Sequence, residues 1–244
     1  MSAMHRVAEH EGFIVAYPAG TPGGSGLTWS PAGTSGARRT RDVRFVSEMI
    51  LDLRRRYAID SARIFAAGHS IGGSLVYELA CLLADQIAAA AVVAGAMTIA
   101  NCDPARPVPL IHIHSTGDRR VPAAGGRGPA TSANKKWLAV RHAIDRWCEI
   151  NGCKGKPHVV RRAIDGVTGY RYFGKSDVEL WLIEGGGHAW PGGMRDGAPT
   201  DDEPAQVGGF SASEKIWSFF AEHARGRRSS RRLPALKSDG QDQV

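Results

Sequence analysis

Hydrophobic residues recur along this chain with two spacings, which predict helices and strands in alternation. Apolar positions that repeat every three or four residues are typical of helices with one buried face, and they occur over 40–57, 71–84 and 132–150. Short and almost wholly apolar runs are typical of buried strands, and they occur at 63–67, 87–94, 108–114 and 178–183. Strands that alternate with helices across short loops form a mostly parallel sheet with helices on both faces, so we predict the α/β class.

Three further stretches complete the predicted architecture. The runs 158–164 and 170–173 predict an antiparallel ribbon just before the last strand, and a capping box at 211–214 predicts the start of a final helix. The stretch 20–40 is rich in Gly, Pro, Ser and Thr and carries Trp29. Because loops at the end of a sheet carry function, the ribbon and this loop are candidate walls of a substrate cleft.

Composition fits one domain with a charged tail. The chain has 244 residues, 43% of them hydrophobic, which is enough for one substantial core, and we predict a single domain over 1–224. The formal net charge is +7, but 225–244 alone hold six basic residues against two acidic ones and lack apolar periodicity. We predict that this tail is disordered, with an anion-binding segment as the alternative. No nucleic-acid fold signature accompanies it, so no nucleic-acid partner is expected. No run of about 18 apolar residues occurs, so no membrane span is predicted.

The run 63–67 leads directly into a G-x-S-x-G turn centred on Ser70. A serine at this strand-to-helix corner stands clear of the sheet, and we expect side chains at Gly68 and Gly72 to collide with neighbouring backbone. The helix that follows directs its free N–H groups at an anion formed beside Ser70, and Ile71 is the predicted oxyanion donor. The alternative is that Ser70 only caps the helix.

A nucleophilic serine on such a turn requires an acid and then a histidine, each on a loop after a later strand. Asp118 follows the strand 108–114, and His188 follows the strand 178–183, in the required order. Asp118 as a turn residue and His188 as a surface histidine are the alternatives. We predict the catalytic triad Ser70, Asp118 and His188, since three features in the right order are harder to obtain by chance than one.

A second pair of histidines offers a different chemistry. His112 and His114 are two apart on one strand, so both point to the same face, and they precede Asp118. An H-x-H metallohydrolase is the rival interpretation. Such a site requires further ligands later in the chain and we find none, so no metal is expected, and one histidine is expected to pack near the triad. No glycine loop for phosphate occurs, and no cofactor is expected.

Four cysteines allow three pairings if all are bridged. Cys81 lies in the helix after Ser70 and is predicted to be a small buried thiol. Cys102 could be oxidised with Cys148 or with Cys153 in an exported enzyme. No C-x-x-C spacing suggests zinc.

Several stretches resemble one family. The segments GGGHAWPGG at 185–193, HSTGDRRVP at 114–122, EGFIVAYPAG at 11–20 and the region 41–73 are similar to polyhydroxybutyrate depolymerase-like esterases, a group that includes feruloyl and acetylxylan esterases. The resemblance implies an α/β-hydrolase that cleaves a small or oligomeric ester through an acyl-enzyme. It also implies that Trp190 lies beside the active site, with a core tryptophan as the alternative, and we predict Trp190 and His69 as substrate-binding residues. The family implies an extracellular or periplasmic location, although 1–20 lack a signal-peptide pattern.

The chain departs from this family in one respect. The resemblance aligns 4–12 with the first helix of the fold. In the family, the strand before that helix usually lies in the sheet between the strand that matches 13–17 and the strand that matches 63–67. That strand ends in a loop that supplies the second oxyanion N–H, and no counterpart is found here. We therefore expect an α/β-hydrolase fold that lacks its N-terminal strands, through either a start codon placed too late or a damaged enzyme.

Three functions remain open. A carboxylesterase of the polyhydroxybutyrate depolymerase or feruloyl esterase type is favoured by the resemblance. A peptidase or an acyltransferase that uses the same G-x-S-x-G turn is the second. A non-catalytic remnant is the third, because loss of one oxyanion donor removes about 2.7–4 kcal/mol of transition-state stabilisation.

Overall fold

The computed structural model describes residues 2–23, 26–30, 37–130, 136–161, 164–193 and 209–225. Its helices are α1 (Met4–Glu11), α2 (Ala37–Arg56), α3 (Ile71–Leu82), α4 (Val140–Asn151) and α5 (Ala212–Glu222). Its strands are β1 (Thr21–Gly23), β2 (Gly26–Thr28), β3 (Phe65–His69), β4 (Ala89–Val93), β5 (Leu110–Ser115), β6 (Gly126–Arg127), β7 (Lys136–Trp137), β8 (His158–Arg161), β9 (Val167–Tyr172) and β10 (Val178–Ile183). The predicted α/β class is confirmed.

Six strands form the central sheet in the order β3-β4-β5-β10-β9-β8. The first four are parallel, whereas β9 and β8 run antiparallel. The predicted ribbon is therefore present, and it continues the main sheet. The pairing sets Leu182 of β10 opposite His114 of β5, so the loops after these two strands open at the same edge of the sheet.

Both faces of the sheet are covered by helices. Along β4, Ala90 and Val92 belong to a core formed with α3 and α4, whereas Ala91 and Val93 belong to a core formed with α1 and α5. This alternation is the period of two expected of a strand with both faces buried. Trp147 and Trp181 are essentially fully buried on opposite faces. A side chain of this kind contributes about 1.5–3 kcal/mol of hydrophobic stabilisation.

One edge of the described sheet faces a cavity. The segment 13–17, expected to be a strand, forms neither helix nor strand, and Ile14 and Tyr17 in it are exposed. This segment, β3, α2 and α3 line a cavity of about 1640 Å³. Within the described residues, β3 pairs with β4 alone. The expectation that 13–17 forms a strand was therefore wrong, and the loss of the strand that precedes the first helix in the family stays a prediction.

Helix α4 is shorter than the apolar spacing predicted. The prediction began at 132, but the helix begins at Val140, and Trp137 lies in β7, which pairs with β6. The Trp137 indole N–H donates to the Arg120 carbonyl at 3.1 Å, so a tertiary contact overrides the helical period there. Residues 131–135 of the predicted helix lie outside the described part of the chain.

The last helix and the start of the tail are well defined. The Ser211 hydroxyl accepts the Glu214 backbone N–H at 3.3 Å, so Ser211 is the predicted N-cap of α5. Arg225, placed in the tail by the sequence, donates its backbone N–H to the Ala62 carbonyl at 2.8 Å. The remainder of the predicted tail, 226–244, lies outside the described residues. Among the helices that are described, none combines the length and the apolar character needed to cross a membrane.

The cysteine predictions were wrong in two respects, because Cys81 is not a thiol but forms a disulfide with Cys102, and Cys102 therefore pairs with neither Cys148 nor Cys153. The apolar environment suggested a buried thiol, but the chain after β4 returns to the end of α3 and sets the two Cα atoms 5.7 Å apart. This separation is within the range that a disulfide spans. Cys148 and Cys153 carry free thiols.

We expect the Cys81–Cys102 bond to protect those two residues from alkylation in denaturant without reductant, whereas Cys148 and Cys153 are modified. Its loop spans 21 residues, so replacing both cysteines by Ala should lower the free energy of unfolding by about 3 kcal/mol. Peptide mass mapping and urea denaturation measure the two effects. Cys148→Ala is the matched control and should change stability much less. Alkylation of Cys81 without reductant contradicts the assignment.

Candidate active site

Ser70 occupies the corner between β3 and α3. Its backbone has φ 55° and ψ −120°, a conformation that residues other than glycine rarely adopt. The side chain makes no capping hydrogen bond to α3. Instead, Oγ lies 2.6 Å from Nε2 of His188. The geometry therefore disfavours the alternative in which Ser70 is only a helix cap.

The glycines of this turn are not equivalent. A Cβ on Gly68 would lie 2.3 Å from the Gly72 carbonyl oxygen, and a Cβ on Gly73 would lie 3.1 Å from the Gly68 carbonyl oxygen. At Gly72, a Cβ meets only the ring of Trp29 at 4.0 Å. The expected collision is thus present at Gly68 but absent at Gly72, since the helix turns Gly72 outward. The tight contact is between Gly68 and the Gly72–Gly73 peptide, where the strand and the helix cross.

Asp118 uses its two carboxylate oxygens for two different tasks. Oδ1 accepts the backbone N–H groups of Arg120 and Val121, both at 2.8 Å, as a turn residue does. Oδ2 accepts from Nδ1 of His188 at 2.8 Å. Burial alone would raise the pKa of Asp118, but hydrogen bonds from His114, His188 and the Val121 N–H outweigh it and hold that pKa well below its usual range. The carboxylate is therefore ionised at neutral pH.

The two nitrogens of His188 are assigned by their partners. Because the ionised Asp118 can only accept, Nδ1 of His188 carries the proton and Nε2 is free to accept from the Ser70 hydroxyl. The side chain of His188 is 8% exposed and that of Asp118 is 0% exposed. The acid is thus shielded from water, while the histidine reaches the surface of the cavity.

His69, predicted to bind substrate, is positioned first of all by the chain itself. Its Nε2 lies 2.8 Å from the His188 backbone carbonyl, which can only accept, so the ring donates there. Burial lowers the pKa of His69 to about 4, and the nearby His188 lowers it too, while its own hydrogen bond opposes the shift. The ring stays neutral at pH 7 and holds the loop that carries His188, here called the histidine loop. It also lines the cavity, and its contact with substrate stays a prediction.

Two tryptophans approach the site from different loops. The Trp190 indole N–H donates to Oγ of Ser213 at 3.1 Å, and its ring centre lies 6.4 Å from that of His69. Trp190 therefore packs against α5 and lines the cavity as well, so both of its expected roles remain compatible with its position. Trp29 also lines the cavity, beside the first turn of α3, which fits the expectation that its loop forms a wall.

The predicted oxyanion donor has the required position. Ile71 begins α3 immediately after Ser70, and the first N–H groups of a helix have no acceptor within it. The positive end of the helix dipole adds to this field. The second donor expected on a loop after a neighbouring strand has no such strand beside β3 in the described chain. Oxyanion stabilisation by Ile71 stays a prediction.

His112 and His114 contact each other, with Nε2 of the first 3.0 Å from Nδ1 of the second. Nε2 of His114 lies 3.4 Å from Oδ2 of Asp118, so one histidine does pack against the acid as expected. Across the ranges that the structure describes, no group of three or more His, Cys, Asp or Glu side chains is arranged to hold a metal ion. The sequence analysis missed Tyr77, whose hydroxyl lies 2.7 Å from Nδ1 of His112. The sequence feature that could have identified Tyr77 is its position seven residues after Ser70, which places it two turns along α3.

Comparison with known proteins finds relatives of this chain among esterases. The chain is 31% identical over 194 residues to feruloyl esterase B of Piromyces equi, covering 75% of the chain and 35% of that protein. It is 28% identical over 203 residues to a probable feruloyl esterase C of Aspergillus niger, covering 82% and 62% respectively. The chain thus spans between about a third and two thirds of the length of these relatives. No family model matches the chain.

The fold comparison is independent of sequence. An acetyl xylan esterase structure from Aspergillus awamori superposes with a TM-score of 0.59 at 15% identity, over 90% of this chain and 81% of the other. At that identity the likeness concerns the fold alone. The chain has the α/β-hydrolase fold, and it is homologous to feruloyl esterases.

The unequal glycines give a test of the turn. We expect Gly68→Ala to lower the free energy of unfolding by at least about 3 kcal/mol, because its Cβ meets backbone that moves only with the whole of α3. Gly72→Ala, the matched control, should change it by less than about 1 kcal/mol. Urea denaturation of both variants measures the difference. Equal destabilisation by the two changes would show that the strand-to-helix contact is placed incorrectly.

Proposed function

We propose that this homologue of feruloyl esterases, with its α/β-hydrolase fold, is a serine carboxylic-ester hydrolase with the triad Ser70, His188 and Asp118. The observation that carries the proposal is the series of two short hydrogen bonds, 2.6 Å from Ser70 to His188 and 2.8 Å from His188 to Asp118. A nucleophile, a base within hydrogen-bond reach and a third group that orients the base are the arrangement that acyl transfer requires.

The proposed reaction has two halves. Oγ of Ser70 attacks the ester carbonyl carbon while Nε2 of His188 takes the hydroxyl proton, and the resulting oxyanion faces the N–H of Ile71. The intermediate then collapses, His188 protonates the departing alcohol, and the acyl group remains on Ser70. Water attacks this acyl-enzyme with His188 again as the base. The bond between the acyl carbon and Oγ then breaks as His188 returns the proton to Ser70, and the carboxylic acid leaves. Asp118 keeps the proton on Nδ1 of His188 and stabilises the transient imidazolium.

The cavity favours an aromatic acyl group as the substrate. Trp29 and Trp190 line it together with His69, Ile71 and His188, so two large rings share the cavity that the proposed base reaches. Planar rings stack on such side chains and bury substantial apolar area. The feruloyl esterases among the relatives carry an aryl acyl substrate in their names. We therefore propose an aryl ester ahead of a hydroxyalkanoate ester of the polyhydroxybutyrate type.

The location outside the cytoplasm remains a prediction with one supporting feature. Disulfides persist in oxidising compartments and are rare in the cytosol. The buried bond between Cys81 and Cys102 is of this kind. It favours an extracellular or periplasmic site of action for the proposed esterase.

The proposed nucleophile is tested by covalent labelling. We expect a fluorophosphonate to add once to the folded chain, on the peptide that contains Ser70, and Ser70→Ala to abolish both the adduct and ester hydrolysis. The reason is that only a serine with an adjacent base attacks phosphorus at neutral pH. Intact-mass and peptide mass spectrometry measure the adduct. Unchanged hydrolysis of an ester by Ser70→Ala would falsify the proposal.

The aryl preference is tested by Trp29→Ala. We expect kcat/KM for methyl ferulate to fall about tenfold, as loss of one aromatic contact of about 1–1.5 kcal/mol implies. For methyl butyrate, whose acyl chain cannot stack, the change should stay within about twofold. Phe173→Ala, an exposed ring outside the cavity lining, is the matched control. An equal loss with both esters in Trp29→Ala contradicts an aromatic subsite.

A further inference from the structure

A line of buried side chains continues from the acid into the core. Nε2 of His114 lies 2.7 Å from the Val121 carbonyl oxygen and 3.4 Å from Oδ2 of Asp118. Behind it, Nδ1 of His114 is 3.0 Å from Nε2 of His112, and Nδ1 of His112 is 2.7 Å from the hydroxyl of Tyr77. The tyrosine and both histidines are at most 1% exposed.

The partners at its end fix the direction of every bond in this line. The Val121 carbonyl and the ionised Asp118 can only accept, so Nε2 of His114 must donate. In the neutral ring, Nδ1 of His114 must then accept, which makes Nε2 of His112 the donor. Nδ1 of His112 is left to accept from the Tyr77 hydroxyl.

The surroundings keep Tyr77 and His112 neutral. Burial raises the pKa of Tyr77 well above its usual value, so its hydroxyl retains the proton that it donates. Burial, with the adjacent His114, lowers the pKa of His112 well below its usual value. The other ionisable groups that face the acid end are His188 and, beyond it, His69. The hydrogen bonds from Tyr77 to His112 and from His112 to His114 thus point from the core toward one carboxylate.

Resting on the proposed function, we propose that His114, oriented by His112 and Tyr77, is a positioning residue for the catalytic acid. Its Nε2–H donates to the Val121 carbonyl and lies 3.4 Å from the Asp118 oxygen that also serves His188, while Val121 holds the other carboxylate oxygen through its own N–H. Tyr77 lies on α3, the helix that begins directly after Ser70, so the line leads back to the element that follows the nucleophile. The arrangement fixes the carboxylate in the plane of His188 and shares part of its negative charge.

This role has a consequence for the pH profile. A donor to the Asp118 anion weakens the pull of that anion on the proton of the His188–Asp118 pair. Removing the donor should therefore move the acid limb of kcat/KM to higher pH. A side chain that served only to fill the core would lower stability and leave the limb where it is. The limb thus distinguishes a positioning role from a structural one.

The direction of the bonds is tested first, on the unaltered chain. Long-range ¹H–¹⁵N NMR of the histidine rings should show His112 and His114 both neutral, each with its proton on Nε2. A proton on Nδ1 of either ring, or a doubly protonated ring at pH 7, overturns the proposal. This measurement requires no activity.

The positioning role is tested by His114→Leu, His114→Gln and Tyr77→Phe. In His114→Leu we expect kcat to fall about 10- to 100-fold with KM nearly unchanged, as loss of a hydrogen bond to a charged group implies. The acid limb should shift upward. His114→Gln, which retains an N–H at the same distance along the side chain, should recover most of both effects. Tyr77→Phe should lower kcat about 2- to 10-fold and shift the limb in the same direction by less.

The control lies in the same core. Trp147 donates a buried hydrogen bond to the Val108 carbonyl at 2.9 Å and packs against Tyr77, but it is outside the line. Trp147→Phe should lower stability and leave the acid limb in place. A wild-type limb in folded His114→Leu, or in Tyr77→Phe if the former fails to fold, overturns the proposal. Failure of the unaltered chain to label at Ser70 would instead contradict the esterase function, while the tautomers still decide the direction of the line.

Discussion

The contact on which the rest of the site depends is the crossing of β3 and α3, where Gly68 meets the Gly72–Gly73 peptide. Backbone meets backbone there with no room for a Cβ on Gly68. This approach forces Ser70 into a positive φ, which turns its side chain away from the helix and toward His188. The strain at Ser70 is of the order of 1–3 kcal/mol, and the packing of α3 against the sheet sustains it. The serine is thus oriented by the fold before any substrate arrives.

The acid and the base depend on the order of the strands. β5 and β10 are far apart in sequence but adjacent and parallel in the sheet, so the loops that carry Asp118 and His188 leave from the same edge. The turn at Asp118 is fixed by two backbone N–H groups on one carboxylate oxygen, which leaves the other oxygen to the histidines. Burying a charge is costly unless it is hydrogen-bonded. Here the hydrogen bonds are numerous enough to keep the carboxylate ionised despite burial.

Local chemistry made most of the site predictable, whereas tertiary contacts decided what was missed. Ser70, Asp118 and His188 each follow a strand in a fixed order, and the structure joins the three side chains. Tyr77 was not singled out from the sequence, because its partner His112 lies on a strand 35 residues later. The same limitation explains Cys81, whose partner was fixed only by the return of the chain after β4. At Gly72 the motif suggested a collision, but the orientation of the helix removes it.

The two sides of β3 serve two different requirements of ester hydrolysis. Assembly of the nucleophile depends on contacts of β3 with β4, α3 and the histidine loop, all of which are present among the described residues. Stabilisation of the oxyanion depends in part on a second N–H expected from the opposite side of β3, where the cavity lies. One such donor contributes about 2.7–4 kcal/mol to each transition state that carries an oxyanion, so acylation and deacylation both depend on that side of β3. The hydrogen bonds of the triad are therefore formed on one side of the strand, whereas the rate of each step that they start also depends on the other side.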